Sequence, residues 1–545
     1  MSGLLSCERV FGFKIGDHRF IIAVSKPIKV IGALHTMQVG DLGKNLGFGW
    51  MIHSAEVLDN TRKSNRKLNF VILMVIDALY LAKKRSQVLR AGQGTILAQT
   101  IKNTHGTSAQ TLEISPKALL KLAVPSTVFT VLTHAYRSVD QFWIKDVSVE
   151  AQAAIGANVF VLILFAGFFE MVGAGASPWI ARASGAGNLE ERKKAFGAGL
   201  FGALVIFVFV AIVGGFGANK IVALIGLTDE TARQAEIYLR TISLTSLPLA
   251  LTPLIDLSFT AMGQAKLPMK LHALSLGLNL IFTPLFIYTL DLGIMGAGLA
   301  SNLSRGIATF IGLISLIRMI GLTRSHIRGG QALRRVLRIG IPVGMGTIIY
   351  ALSYWVMLMT SISPLGPHIN AALGIGFSAL EGFTWPCFHG VSLAVASFIG
   401  RSLGAKRPSD AIASMKLGLP IVGIMGVIAS LLFGFGGEFL TGLFASDVKV
   451  HEAAIRYTFV LAFSQIFVAW ESLFEGVLNG AGATKLVFWV NFPNNVLRVF
   501  LAWYCAFPLG YGAEGVWWAI TLTTISKALL KGWFSLRGRW VNVKI

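Results

Sequence analysis

Residues 119–144 read LLKLAVPSTVFTVLTHAYRSVDQFWI. The run is long enough to cross about 30 Å of hydrocarbon as a helix, yet Asp140 lies well inside it. An ionisable group in a spanning helix is costly unless it is paired, protonated or wetted by a cavity, so it marks a candidate functional position. Arg137, one turn earlier on the same helical face, offers a second reading, a structural ion pair with Asp140. Whether this stretch spans a membrane decides the reading of everything after it.

The rest of the chain says that it does. Of 545 residues, 54% are hydrophobic and only 14% charged, against about a quarter charged in an ordinary soluble chain. The apolar residues fall in blocks of spanning length rather than in the short alternating segments of a membrane β-barrel. The expected fold is therefore an all-α polytopic membrane protein. From Lys117 onward about twelve spans are expected, at 117–143, 153–180, 195–217, 232–262, 266–290, 294–320, 331–361, 370–400, 410–434, 448–480, 484–508 and 512–537.

The formal charge of +22 raises the question of nucleic acid, but its placement answers otherwise. Basic residues gather in alternate connections: Arg182 with Arg192 to Lys194, Lys266 with Lys270, Arg318 to Arg338, Arg401 to Arg407, and a tail from Lys527 to Lys544. The intervening connections carry Asp229, Glu230, Asp291, Glu438, Asp447 and Glu452. This is the positive-inside pattern, which puts the basic loops and both termini in the cytoplasm. Cys7, Cys387 and Cys505 have no metal or disulfide spacing.

The second six spans repeat the first. Ile180-Ala-Arg-Ala-Ser-Gly-Ala-Gly187 answers to Ile399-Gly-Arg-Ser-Leu-Gly-Ala-Lys406, with 401 − 182 = 219. Ala261-Met-Gly-Gln-Ala-Lys266 answers to Gly480-Ala-Gly-Ala-Thr-Lys485 at the same offset. Pro125 and Pro342, and Leu292-Gly293 and Leu509-Gly510, pair at 217. Each copy has six spans, so both have one orientation and form two bundles around a central cleft, with transport by rocking one against the other. The expected domains are an N-terminal bundle, 116–325, and a C-terminal bundle, 326–545. Residues 1–115 differ: their apolar runs are too short to span and are broken by Lys and Arg. A basic cytoplasmic tail, a small accessory domain and a mis-called start at Met74 or later all fit, and a poorly ordered extension is the expectation. No signal peptide is expected, since no apolar h-region precedes a small-residue cleavage site.

At these loops the chain resembles a known family. Ser138-Val-Asp-Gln141, the paired Arg-x-x-Gly-Ala signature, Gly-Ala-Gly-Ala-Thr-Lys before the eleventh span and Asn491-Phe-Pro-Asn-Asn-Val-Leu-Arg498 within it are similar to the multidrug and toxic compound extrusion (MATE) family over residues 117–540. The resemblance implies a twelve-helix antiporter that expels organic, often cationic, compounds in exchange for H⁺ or Na⁺. It implies cation coupling at Asp140, with Asn279 and Thr283 in the fifth span and Ser301 in the sixth. Thr283 stands where the family has a second acid. Losing a carboxylate removes charge and a ligand from a hard-cation site, which favours H⁺ over Na⁺.

Other acids inside the spans are Glu170, Asp256, Glu381, Glu471 and Glu475. Asp256 and Glu475 are equivalent by the repeat, and either bind substrate cations, relay protons, or bond the neighbouring glycine-rich loop. Glu170 pairs by the same offset with His389. Glu381, one turn before Trp385, suggests an acid beside an indole, suited to a cationic aromatic compound. Glu170, Asp256, Glu381, Trp385 and Glu475 are thus the substrate-cleft candidates.

The reading is a cation-coupled exporter of small organic compounds working by alternating access in a bilayer. It is expected to be a monomer in a bacterial inner membrane, with no cofactor beyond the coupling ion, no metal and no nucleic-acid partner. A lipid-linked precursor flippase of the same broader superfamily is the alternative. An intramembrane enzyme is ranked below both, because no His-Glu-x-x-His helix, P-loop or Gly-x-Ser-x-Gly elbow is present.

Overall fold

The structure is a computed structural model; it describes residues 10–15, 18–23 and 114–545, except 145, 146, 228 and 446, and leaves undescribed the side chains of 10–23, 137–141, 149, 378 and 379. The chain divides into two units, 1–102 and 103–545. In the first, β1 (Val10–Ile15) and β2 (His18–Ala23) form an antiparallel hairpin with Ile15 opposite His18. The sequence reading did not anticipate this hairpin; the rest of the expected N-terminal extension up to residue 113 lies outside the described residues.

The second unit is helical. It comprises α1 (Pro116–Ile144), α2 (Val149–Gly185), α3 (Leu189–Phe216), α4 (Asp229–Leu244 and Leu247–Ala261), α5 (Lys266–Thr289) and α6 (Gly293–Ile320). Then follow α7 (Gln331–Leu365), α8 (Pro367–Gly404), α9 (Pro408–Phe435), α10 (Val448–Gly480), α11 (Thr484–Ala506) and α12 (Gly512–Leu536). Among the described residues, nine of these are long and apolar enough to span by composition, or ten with α4 taken as one span. The other two, α11 and α12, carry polar residues at their centres, Asn491, Asn494, Asn495 and Arg498 in one, Lys527 and Lys531 in the other. The protein is a multi-pass membrane protein whose second unit is all-α, two six-helix bundles.

Several expected spans are not single uniform α-helices: the third, fifth and seventh run into π-helical turns at 211–216, 285–289 and 358–362. The fourth bends by 53° between Leu244 and Leu247. Ser246 turns its hydroxyl back to the Ser243 carbonyl at 2.7 Å, and Pro248 sits in the first turn of the second segment, where a missing N–H costs nothing. The eighth passes through a π-helical stretch, Ile375–Glu381, before its main segment.

The halves also interpenetrate. Leu119, Leu122 and Ala123, at the start of α1, bury among residues of α8, α9 and α10. Val336, at the start of α7, buries with α2, α3 and α4. The boundary expected at 325/326 is therefore one of sequence, and the first turns of α1 and α7 each lie in the core of the other half. Along the seam between them α2 packs on α7 and α1 on α8. Glycine makes the approach possible: a Cβ on Gly167 would lie 2.7 Å from Ile348 Cγ1 and 2.9 Å from the Gly344 carbonyl oxygen.

Candidate functional site

The repeated loops close one end of the molecule. Gly185 lies against the backbone of Arg401, and Gly404 against that of Arg182, so each copy of the Arg-x-x-Gly-Ala signature presses on the other. The arginine side chains complete the exchange. Arg182 donates to the carbonyls of Ala481 and Val543 at 2.8 Å each, reaching the second half's glycine loop. Arg401 lies over Gly263 of the first half's loop, whose φ of +82° leaves no room for a side chain. Ser397 adds a 2.6 Å bond to the Thr260 carbonyl. The motifs thus have a mechanical meaning: they are the two halves of one seal.

Deeper in the first half, α5 and α6 pack on α1 and carry a buried polar cluster. Asn279 donates to Thr283 Oγ1 at 3.0 Å and to Ser301 Oγ at 3.1 Å. Asn279 and Thr283 are fully buried and Ser301 nearly so. Both amide protons are used, while Asn279 Oδ1 has no hydrogen-bond partner among the described residues. A buried acceptor left over in this way is costly, of order 1–3 kcal/mol, unless an ion, proton donor or water meets it. Toward the sealed end, Asp256 Oδ2 meets His272 Nε2 at 2.7 Å, and His272 Nδ1 meets Thr133 Oγ1 of α1 at 3.3 Å. Tyr136 is hydrogen-bonded to Ser275, with the Arg305 guanidinium 4.1 Å above its ring.

The equivalent place in the second half is built from charges. Glu475 accepts from Lys531 and from Asn491, the latter at 3.4 Å. Lys531 also donates to Glu471 at 2.7 Å, and Lys527 approaches Glu471 at 3.2 Å. Arg498 is buried and donates to Thr523 and Thr524 at 2.9 Å each and to Tyr354 at 3.4 Å. The repeat offset pairs Asp256 with Glu475, His272 with Asn491 and Asn279 with Arg498. An amide with a spare oxygen in one half thus answers to a permanent cation in the other.

Of the residues singled out from sequence, Asn279, Thr283 and Ser301 come together, while the side chains of Asp140 and Arg137 lie outside the described residues. Glu170 accepts from Thr347 across the α2–α7 seam at 2.6 Å, and its offset partner His389 stacks on Trp385 at 4.7 Å. Glu381 accepts from Tyr457 at 2.5 Å, and Trp385 lies between His389 and the edge of His134. Asp256 and Glu475 bond His272 and Lys531 rather than the glycine loops. The basic tail is corrected, since Lys527 and Lys531 are buried inside α12 opposite two glutamates one turn apart on α10. Sequence reasoning missed His272, Arg305, Arg498 and the two lysines. Applying the repeat offset to the fifth and eleventh spans would have exposed His272 and Arg498.

Comparison with known proteins agrees with this architecture. The MatE family model matches residues 125–285 and 342–504, one segment in each half. The chain is 23% identical over 375 residues to the multidrug export protein MepA of Staphylococcus aureus, covering 67% of this chain and 82% of that protein. It is 23% identical over 446 residues to a probable multidrug resistance protein NorM of Halalkalibacterium halodurans, covering 78% and 94%. Among solved structures, a transporter of the MOP superfamily from Pyrococcus furiosus, described as having a binding pocket of reverse polarity, superposes with a TM-score of 0.74 at 18% identity, covering 79% of this chain and 97% of that one. An outward-facing multidrug resistance MATE transporter superposes at 0.72 and 19% identity, covering 78% and 96%. These structures share the fold.

Proposed function

The chain belongs to the MatE family, and from that premise we propose that it is an antiporter, coupled to H⁺ in preference to Na⁺, that exports small organic cations by alternating access. The observation that carries this reading is the asymmetry between the halves. The first half holds Asn279, Thr283 and Ser301 around an amide oxygen with no partner among the described residues, whereas Arg498 fills the equivalent place in the second. A site already filled by a covalently attached cation has no vacancy for a mobile one, so coupling belongs to the first half. Asp140, on α1 beside α5 and α6, supplies the exchangeable charge. Thr283, a hydroxyl in place of an acid, leaves one carboxylate, enough for a proton and poor for Na⁺.

The loops that seal one end are the basic ones, which supports a cytoplasmic position for that end, and with it for residues 114 and 545, in a bacterial inner membrane. Both bundles and their seam belong to one chain, so a monomer suffices. The names of the relatives, multidrug export and multidrug resistance, support organic compounds as cargo.

The test uses purified protein in liposomes loaded with ethidium, with a pH gradient and a Na⁺ gradient imposed separately. Flux driven by the pH gradient and lost in Asp140→Asn is the expected result. Flux driven by Na⁺ alone overturns the choice of ion, and no gradient-driven flux from correctly folded protein moves the lipid-linked flippase reading to the front.

A further inference from the structure

We propose that Asp256 and His272 form a second proton-binding site, joined to the Asn279 cluster by a polar stripe along α5. The inference rests on the antiport reading above and adds a proton, and a route for it, to that cycle.

Thr133 Oγ1 sits 2.8 Å from the Phe129 carbonyl, an acceptor that takes the hydroxyl proton. Oγ1 is then left to accept from His272 Nδ1–H. The other nitrogen, Nε2, faces the Asp256 carboxylate at 2.7 Å. Both ring nitrogens point at acceptors, an arrangement that a doubly protonated imidazole satisfies in full. Asp256 and His272 are each 8% exposed, so bulk water does not supply these partners.

Beside the pair lies a cavity of about 20 Å³ bounded by Asp256, His272, Ser275, Arg305, Thr252 and Thr309. That is room for about one water with several polar neighbours. On its far side Tyr136 and Ser275 are hydrogen-bonded, and one turn further along α5 stands Asn279, then Thr283. His272, Ser275, Asn279 and Thr283 are all buried, which makes a continuous polar face between the sealed end and the coupling cluster.

The charged surroundings are simple. Arg305 of α6 and Tyr136 of α1 face the pair. His134 of α1 faces Trp385 instead. The elements packed on α4 carry Glu170 and Arg182 on α2, Lys194 on α3, and His389 and Arg401 on α8. Glu170 bonds Thr347, Arg182 bonds the carbonyls of Ala481 and Val543, His389 stacks on Trp385 and Arg401 lies over Gly263, while Lys194, and Lys266 and Lys270 on α5, are exposed. With His272 neutral, Asp256 is balanced by Arg305 and the cavity carries no net charge; with one more proton it carries a single positive charge. A buried site with one unbalanced charge favours release as soon as a polar exit opens. The exit is the end closed by the two arginine motifs, so opening the seal discharges the site.

Two measurements test this. In nanodiscs, the His272 imidazole is followed by ¹⁵N NMR with His272→Gln for assignment. Its protonation should change across the pH range over which the protein stays folded, and that change should differ in Asp256→Asn, as coupling between the two groups requires. In liposomes held at zero membrane potential with one unit of pH gradient, ethidium should reach a ratio of about 100-fold if two protons exchange and about tenfold if one does. His272→Gln should lower the ratio about tenfold and still transport, whereas Asp140→Asn abolishes pH-driven flux. A ring that keeps one protonation state across that range, or an unchanged ratio in both Asp256→Asn and His272→Gln, overturns the second site while leaving antiport intact. No pH-driven flux in the wild type overturns antiport itself, and the NMR titration then decides the pair alone.

Discussion

The seal between the halves makes a quantitative prediction at Gly404. A Cβ placed there would lie 2.6 Å from both C and Cα of Arg182, and closer still to its carbonyl oxygen, whereas ordinary contact begins at 3.4 Å. The overlap falls on backbone at the end of α2, so no side-chain rotation relieves it. Overpacking of this kind costs about 1–3 kcal/mol. It is felt only where the halves touch at this end, so Gly404→Ala should shift the balance toward the state open there by a factor of about 5 to 150. Spin labels on cysteines replacing the exposed Leu189 and Ser409, in a background without native cysteines, report the opening through electron–electron distances. Gly346→Ala is the control, because a Cβ there meets nothing within 4 Å. The expected result is a growing long-distance population in Gly404→Ala only. Identical distributions in Gly404→Ala and the wild type, with both folded, would refute the claim that this contact holds the end closed.

Two further substitutions probe the interior of each half. Lys531→Met removes a fully buried cation that serves Glu471 and Glu475. Breaking a buried pair from one side costs about 3–5 kcal/mol, and here the lower end is expected because Lys527 remains 3.2 Å from Glu471. Denaturant unfolding in detergent should show that loss and its partial recovery in Lys531→Met/Glu475→Gln; a loss under about 1 kcal/mol contradicts it. Asn279→Leu keeps the volume while deleting both amide bonds, so gradient-driven ethidium flux should fall at least about tenfold with ethidium binding retained, a pattern expected when coupling rather than cargo binding is lost. Wild-type flux in this variant removes the cluster from the coupling machinery.

How much of this was legible in the sequence depended on which physical signal was strong. Span length and hydropathy placed the helices within a few residues, as with 331–361 against Gln331–Leu365 and 484–508 against Thr484–Ala506. The bend in α4 was not read, although Thr245, Ser246 and Pro248 stand at it, because hydropathy averages over a turn while a bend is decided by one or two backbone bonds. Asn279, Thr283 and Ser301 were named together through family resemblance, and their mutual bonds are a fact of packing that no spacing states. The lysines of α12 were misread because charge count alone assigns a basic run to solvent. Only the partner on another helix, here Glu471 and Glu475, reveals a buried pair. The interlocking of Arg182 and Arg401 was hidden for the same reason, since it joins residues more than two hundred positions apart.

The pairing of Asn279 with Arg498 permits a last prediction that bears on the proposal that only the first half couples. Arg498 holds Thr523, Thr524 and Tyr354 by three bonds from one buried guanidinium. Arg498→Asn gives the second half the residue that the first half has. Hydrogen bonds to a charged group contribute about 1.5–3 kcal/mol each, and the hydroxyls re-pair in part, so a net loss of about 3 kcal/mol is expected. If the guanidinium stands in for a mobile cation, the variant leaves hydroxyl and amide oxygens around a vacancy of the kind hard cations take. Its melting temperature should then rise with NaCl relative to choline chloride, by the equivalent of about 2.7 kcal/mol at a hundred times the dissociation constant, while the wild type shows no such difference. A folded variant equally stable in both salts would mean that Arg498 is a strut between α11, α12 and α7 and not a built-in ion. The confinement of coupling to the first half would then have to be sought in Asp140 alone.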